Sequence, residues 1–174
     1  ELTEGLQILS QLEHPLFAKF IGYSPINFES YQYPFVVSET GSNLSLRKLI
    51  KIKDEEKKLN ETDKLIIIYG IAYGMRYLHS EDVIHRCLST DCIFIDECRH
   101  PKITSLEFLK KVSNESTKRD DYFLGIYSYS APEIFQKKYS KMSDVYAFAM
   151  IAYEILTKVN VYIKVPSYKI QFNL

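Results

Sequence analysis

The twelve residues from Val145 to Leu156 carry a single charged side chain, Glu154. A run this short cannot cross a bilayer, which takes about 20 apolar residues. Its apolar side chains fall on every side of a helix instead of forming one stripe, and such a helix is stable in water when other elements enclose it. The run therefore predicts a buried helix, and it requires the rest of the chain to supply the layers around it.

The rest has the material to do so. A length of 174 residues with 46% apolar and 14% aromatic content suits one domain with a core and argues against disorder. Leu2, Leu6, Leu9 and Leu12 recur at helical spacing, as do Leu65, Ile68, Ile71, Ala72, Met75 and Leu78, with Asn60 or Thr62 placed to cap the second helix. Phe35–Val37, Ile93–Ile95 and Lys102–Thr104 read as short strands. The polar stretch Asn114–Asp121 reads as a mobile loop, and the mixed-sign run Lys51–Lys58 as a solvated one. The fold class expected is α+β.

Charge and cysteine usage exclude several classes of partner. With 22 basic and 22 acidic residues the net charge is zero, so no overall field favours nucleic acid or an anionic membrane. No N-terminal secretory signal is visible. Three cysteines, Cys87, Cys92 and Cys98, do not form the even framework of a small secreted protein, so a reducing cytoplasm is the default.

The chemistry-bearing segment is His85-Arg86-Cys87-Leu88-Ser89-Thr90-Asp91-Cys92, followed by Ile93-Phe94-Ile95. Thirteen residues past Cys92 stands Ser105-Leu106-Glu107, and beyond it Gly125-Ile126-Tyr127-Ser128-Tyr129-Ser130-Ala131-Pro132-Glu133. Tyr139 to Phe148 opens the apolar helix, and Gly70 to Ser80 leads into the first segment. This ordered set resembles the protein kinase superfamily, with the flavour of its tyrosine-kinase-like group. Five matches at family spacing make the resemblance specific.

The resemblance implies a kinase-like fold made of a partial small lobe over residues 1–37, a hinge over 38–44, and a mainly helical large lobe over 45–174. The small lobe keeps a regulatory helix and strands, and the large lobe stops after its central helix. No glycine-rich loop or strand with an ATP-binding Lys precedes Glu1, and the chain starts without Met, so it is expected to be a piece of a longer product or a truncated gene model.

In the family the loop reads His-Arg-Asp-Leu-Lys-x-x-Asn. Its Asp orients the attacking hydroxyl, its Asn holds a magnesium ion, and a later Asp-Phe-Gly supplies the second metal site. Here Cys87, Ser89, Cys92 and Ser105 stand at those places, so no catalytic set is intact. Magnesium takes oxygen ligands, for which a sulfur is a poor replacement. The nucleotide-facing positions implied are Ser38, Glu39, Gly41 and Phe94, the last where the family has a Leu under the adenine.

Structural and regulatory positions are better kept. Leu9, Phe20, His85 and Leu106 match the apolar column that joins the two lobes, and Asp144 matches an Asp that anchors the catalytic loop. Glu133 matches the acid of the Ala-Pro-Glu signature. Arg86 matches a phosphate-pairing residue, for which Ser113, Ser116 or Thr117 could carry the phosphate; it could equally satisfy backbone carbonyls. The Glu that pairs with the ATP-binding Lys falls on Gly5, next to Glu4.

The leading expectation is an inactive kinase-like module that binds proteins or regulates an active kinase, with no cofactor, no metal, no nucleic acid and no membrane. The alternative is a divergent, weakly active kinase using ATP and magnesium, with Glu4 and Glu107 as displaced acids. A third reading joins His85, Cys87, Cys92, Cys98 and His100 in a zinc or redox site.

Overall fold

Asn60 starts the central scaffold. Its side chain accepts a hydrogen bond from the Asp63 N–H at 2.7 Å, and the Asp63 carboxylate accepts from the Asn60 N–H at 3.2 Å. This reciprocal cap fixes the start of helix α3, Glu61–Ser80, and decides between Asn60 and Thr62 as its cap. The computed structural model describes residues 2–26, 35–39, 44–54, 58–112, 124–136 and 138–159.

The buried face of α3 is Lys64, Ile67, Gly70, Ile71, Gly74, Met75 and Leu78. Of the expected stripe, Ile71, Met75 and Leu78 are buried and Ile68 packs against the core, whereas Leu65 is 64% exposed and Lys64 takes its place on the buried face. The Lys64 stem lies in the interface while its ammonium reaches Glu61 at 2.6 Å.

Ahead of α3 lie helix α1 (Leu2–Gln11), strands β1 (Phe20–Ser24) and β2 (Phe35–Ser38), and the short helix α2 (Leu46–Ile50). β1 and β2 pair antiparallel, with an irregularity between Phe20 and Gly22. After α3 come β3 (Val83–Ile84), β4 (Ile93–Ile95), β5 (Pro101–Ile103) and β6 (Lys110–Lys111). β4 pairs antiparallel with β5, and β3 with β6. The strand expected at Lys102–Thr104 thus begins one residue earlier, with Thr104 N donating to the Cys92 carbonyl beyond the ladder. The architecture is mixed helix and strand, with three two-stranded sheets among the described residues.

The N-terminal part is sewn to the hairpin by main-chain bonds. Ala18 N donates to the Ile103 carbonyl at 2.9 Å, and Ile103 N to the Leu16 carbonyl at 2.8 Å. One core cluster runs through both parts, from Leu9 and Phe17 to Ile67, Ile71, Ile93, Ile103, Leu106, Ile151 and Ile155.

Helix α4, Lys141–Thr157, opens at Ser140, whose side chain exchanges hydrogen bonds with Ser143 in a second capping box. It packs on α3, on β3 and on the turn at Tyr127–Tyr129, and its buried residues are Ser143, Asp144, Ala147, Ile151, Glu154 and Ile155. The expectation of a helix enclosed on all sides is corrected here: Val145, Tyr153 and Leu156 are 45%, 50% and 53% exposed. Apolarity of the run reported what the side chains are, and only one of its faces meets a described neighbour.

Candidate functional site

Helix α3 delivers the chain through β3 into His85, and Asp144 on α4 fixes the backbone of the loop that begins there. One carboxylate oxygen accepts from the His85 N–H at 2.8 Å and lies 3.0 Å from His79 Nε2; the other accepts from the Arg86 N–H at 3.1 Å. Asp144, His85 and Arg86 are all buried. Arg86 has φ of 71°, a left-handed conformation that costs a non-glycine residue about 1–3 kcal/mol. The two bonds from Asp144 hold the backbone there, and Arg86 Nε donates to the Phe108 carbonyl at 2.7 Å. Its guanidinium carbon also lies 5.8 Å from the centre of the Tyr139 ring. His85 is fully buried, with Nε2 3.0 Å from the Thr104 carbonyl.

This turn brings the exchanged residues together. The Cys87 thiol is buried, 3.7 Å from both His85 Nδ1 and the Ser105 carbonyl oxygen. Cys92 is half-buried, with Sγ 3.3 Å from Ser89 Oγ and 3.3 Å from the Cys87 carbonyl. The two thiols also act on one another, and the Ser105 side chain acts on Cys92. The hydrogen bond from Cys87, the charge of His85 and the hydroxyls of Ser105 and Ser89 lower the Cys92 pKa to about 5, against the opposing effect of burial. Cys87 moves the other way. Its bond to Cys92 and its burial hold it well above the ordinary thiol value, with the negative charges of Glu107 and Asp144 adding to both. One sulfur of the pair keeps the proton that stabilises the other as thiolate.

Magnesium would meet a poor donor set here. Ser105, at φ of 62°, and Cys92 offer a hydroxyl and a sulfur, and both are engaged with each other. Among the described residues, the group of three ligand-type side chains close enough to share an ion is Asp96, Cys98 and His100, in the turn between β4 and β5. The five-residue cluster of His85, Cys87, Cys92, Cys98 and His100 is therefore corrected: the hairpin carries Cys98 and His100 away from the loop thiols.

The displaced acids are placed differently from one another. Glu4 Oε1 accepts from the Lys111 N–H at 3.2 Å, tying α1 to β6. At Gly5 a Cβ would stand 2.2 Å from the Glu107 carbonyl oxygen, so α1 approaches the 106–109 backbone too closely for any side chain there. Glu107 is half-buried and close enough for its charge to act on Cys87.

Leu9 and Leu106 belong to the core cluster, and Phe20 packs against it. Ser38 closes β2 opposite Phe20. Glu39 is bound to the edge of β1: its N–H donates to the Lys19 carbonyl at 2.7 Å and its carboxylate accepts from Lys19 N at 3.3 Å. Phe94 is half-buried in β4 and bridges Ser45. Glu133 is half-buried, its carbonyl accepting from Lys138 N at 3.2 Å. Gly41, Ser113, Ser116, Thr117 and the Asn114–Asp121 stretch lie outside the described residues.

Sequence reasoning missed a second buried polar centre beside the loop. Glu154, noted only as a break in an apolar run, accepts hydrogen bonds from the Tyr129 hydroxyl and, at 3.4 Å, from Thr90 Oγ1. Thr90 and Tyr129 hydroxyls lie 2.7 Å apart, and Arg47 reaches Tyr129 at 3.3 Å and Asp91 at 2.7 Å. Burial, followed by the bond to Glu154, pushes the Tyr129 hydroxyl pKa up. The available signal was Glu154 itself, since an acid inside an apolar helix must find partners.

Residues 1–171 match the protein tyrosine and serine/threonine kinase family. Over 171 residues the chain is 30% identical to a probable serine/threonine-protein kinase of Dictyostelium discoideum, covering 95% of this chain and 12% of that protein. It is 34% identical over 173 residues to a probable LIM domain-containing serine/threonine-protein kinase of the same organism, covering 98% and 26%. It is 31% identical over 158 residues to the alpha subunit of inhibitor of nuclear factor kappa-B kinase of Xenopus laevis, covering 88% and 21%. The chain thus spans about an eighth to a quarter of the length of these relatives.

Proposed function

This chain belongs to the protein tyrosine and serine/threonine kinase family, and from that premise we propose that it is a kinase-fold module without phosphotransfer activity, of the tyrosine-kinase-like group. It works in the cytoplasm by binding other proteins, an active kinase among them, and needs no cofactor. Among the described residues no helix is long and apolar enough to cross a membrane.

One observation carries the reading: Cys87, Cys92 and Ser105 occupy the acid and amide positions of the family motif and bond to one another. Phosphoryl transfer depends on positioning the nucleotide and metal and on neutralising developing charge, and these residues bring neither a carboxylate nor an amide to that task. Loss of general-base help alone costs about 10²–10⁴-fold. The anchoring by Asp144 is built without reference to any reacting group, so the loop keeps its shape.

A phosphotransfer assay of the full-length protein with Mg²⁺-ATP tests the proposal. Label transfer no greater than in a buffer control is expected. Turnover that disappears in Cys87→Ala overturns it. A divergent, weakly active kinase using ATP and magnesium is the second reading, and Glu107 is the observation in its favour. A Glu107-dependent rise in melting temperature on adding ATP with Mg²⁺ or Mn²⁺ selects that reading; no rise leaves the first standing.

A further inference from the structure

We propose that Cys87 and Cys92 form a dithiol that a hydroperoxide converts to an intramolecular disulfide, which makes the loop a modification site. The inference rests on the proposed function only in assigning these side chains work other than phosphoryl transfer.

Two features of the pair favour this chemistry. Cys92 Sγ lies 3.3 Å from the carbonyl oxygen of Cys87 itself, so the two side chains share one turn of the loop, and a disulfide needs its two sulfurs to close to about 2.05 Å. They also differ in access: Cys92 is half-buried and can meet a small oxidant, whereas Cys87 is buried. A partly accessible attacking sulfur beside a shielded partner is the arrangement in which a first oxidation product is captured inside the molecule. The pKa lowering of Cys92 supports the assignment of roles, since the thiolate is the nucleophile. Ser89, Ser105 and His85 are the groups that stabilise it, and Glu107 and Asp144 act on Cys87.

The steps balance. The Cys92 thiolate attacks one peroxide oxygen; an S–O bond forms, the O–O bond breaks, and hydroxide or alkoxide leaves with the electron pair. Cys92 is now a sulfenic acid, oxidised by two electrons, and the peroxide is reduced. The Cys87 sulfur then attacks the Cys92 sulfur; the S–S bond forms, the S–O bond breaks, and the departing hydroxide takes the Cys87 proton to leave as water. The product closes a ring across the residues between Cys87 and Cys92, pinning the loop that Asp144 already anchors.

The sequence makes the test direct. Cleavage on the N-terminal side of Asp91 and Asp96 separates Cys87, Cys92 and Cys98 into three peptides. Full-length reduced protein is treated with hydrogen peroxide, blocked, digested at Asp without reductant and examined by mass spectrometry. The expected result is the Cys87 peptide joined to the Cys92 peptide, with the link retained in Cys98→Ser. In Cys87→Ser, dimedone should trap a sulfenic acid at Cys92. The link should form at least about tenfold faster in the folded protein than in urea, where the environment that lowers the Cys92 pKa is gone. Absence of the link, a dominant link through Cys98, or equal rates in urea overturns the proposal; the wild-type and Cys98→Ser results decide it even if the other variant does not fold. A parallel phosphotransfer assay on the reduced protein keeps the two readings apart, because turnover there counts against the functional reading and leaves the peptide result untouched.

Discussion

Two sets of polar side chains meet the same loop, and they are built from opposite chemistry. Beneath it, Asp144 and Glu154 on one helix present carboxylates that accept from backbone N–H groups, from Tyr129 and from Thr90. Where the loop faces Ser105, the polar atoms are two thiols and two hydroxyls, bonded among themselves. The carboxylates satisfy donors that would otherwise be stranded in the core, at a cost of about 1–3 kcal/mol for each one left unmet. The thiols find their partners nearby, on the Cys87 and Ser105 carbonyls and the Ser89 hydroxyl. Charge is thus retained where it holds the backbone and is missing where family members meet metal and phosphate.

The sharpest contrast between the two centres is in titration. With its pKa near 5, Cys92 is thiolate above that pH and protonated below it. Its alkylation by iodoacetamide, followed peptide by peptide, should be nearly flat from about pH 6 to about pH 8, while a free small-molecule thiol in the same tube speeds up roughly a hundredfold. A Cys92 rate that climbs in parallel with the free thiol would dissolve the distinction.

On the carboxylate side the largest stability effect belongs to Asp144. Asp144→Ala strands the His85 and Arg86 N–H groups in the core and should lower unfolding free energy by about 2–5 kcal/mol in urea titrations. Asp144→Asn, which keeps one acceptor, should lose less. A neutral Asp144→Ala would show that the loop holds its left-handed turn unaided.

Tyr129→Phe should cost about 1–3 kcal/mol by the same measurement, since Glu154 keeps only its longer contact with Thr90. Replacing Cys92 by Ser should cost less than Tyr129→Phe; a larger loss would mean that the thiol centre also carries the fold.

The smallest effect tests the register of α3. Leu65→Gln should change stability by no more than about 0.5 kcal/mol. Ile67→Ala, two residues on and fully buried, should cost about 2–5 kcal/mol.

Much of the molecule was legible in the chain itself. The capping chemistry around Asn60, the strand at Ile93–Ile95 and the α1 periodicity through Leu9 are local, and local physics set them. The family match over residues 1–171 agrees with motif spacing read from the chain alone. Leu65 was misplaced because adjacent apolar residues, Leu65 to Ile68, admit two helical stripes, and the partner surface chose between them. The enclosure of α4 was misread because composition states what a face is made of and not what lies against it. The Glu154 centre was missed because its partners, Tyr129 and Thr90, come from separate stretches of chain that no spacing rule connects.

The sequence alone determined which atoms stand at the loop: sulfur and hydroxyl where the family carries carboxylate and amide, a matter of covalent chemistry that no folding can alter. Only the tertiary structure decided that those atoms touch, that Cys92 yields its proton while Cys87 holds its own, and that Asp144 clamps the backbone around them. Hydrogen bonds and charge act over a few ångströms of space, and folding brings within that reach groups as far apart in the chain as Cys87 and Ser105, 18 residues, and His85 and Asp144, 59 residues.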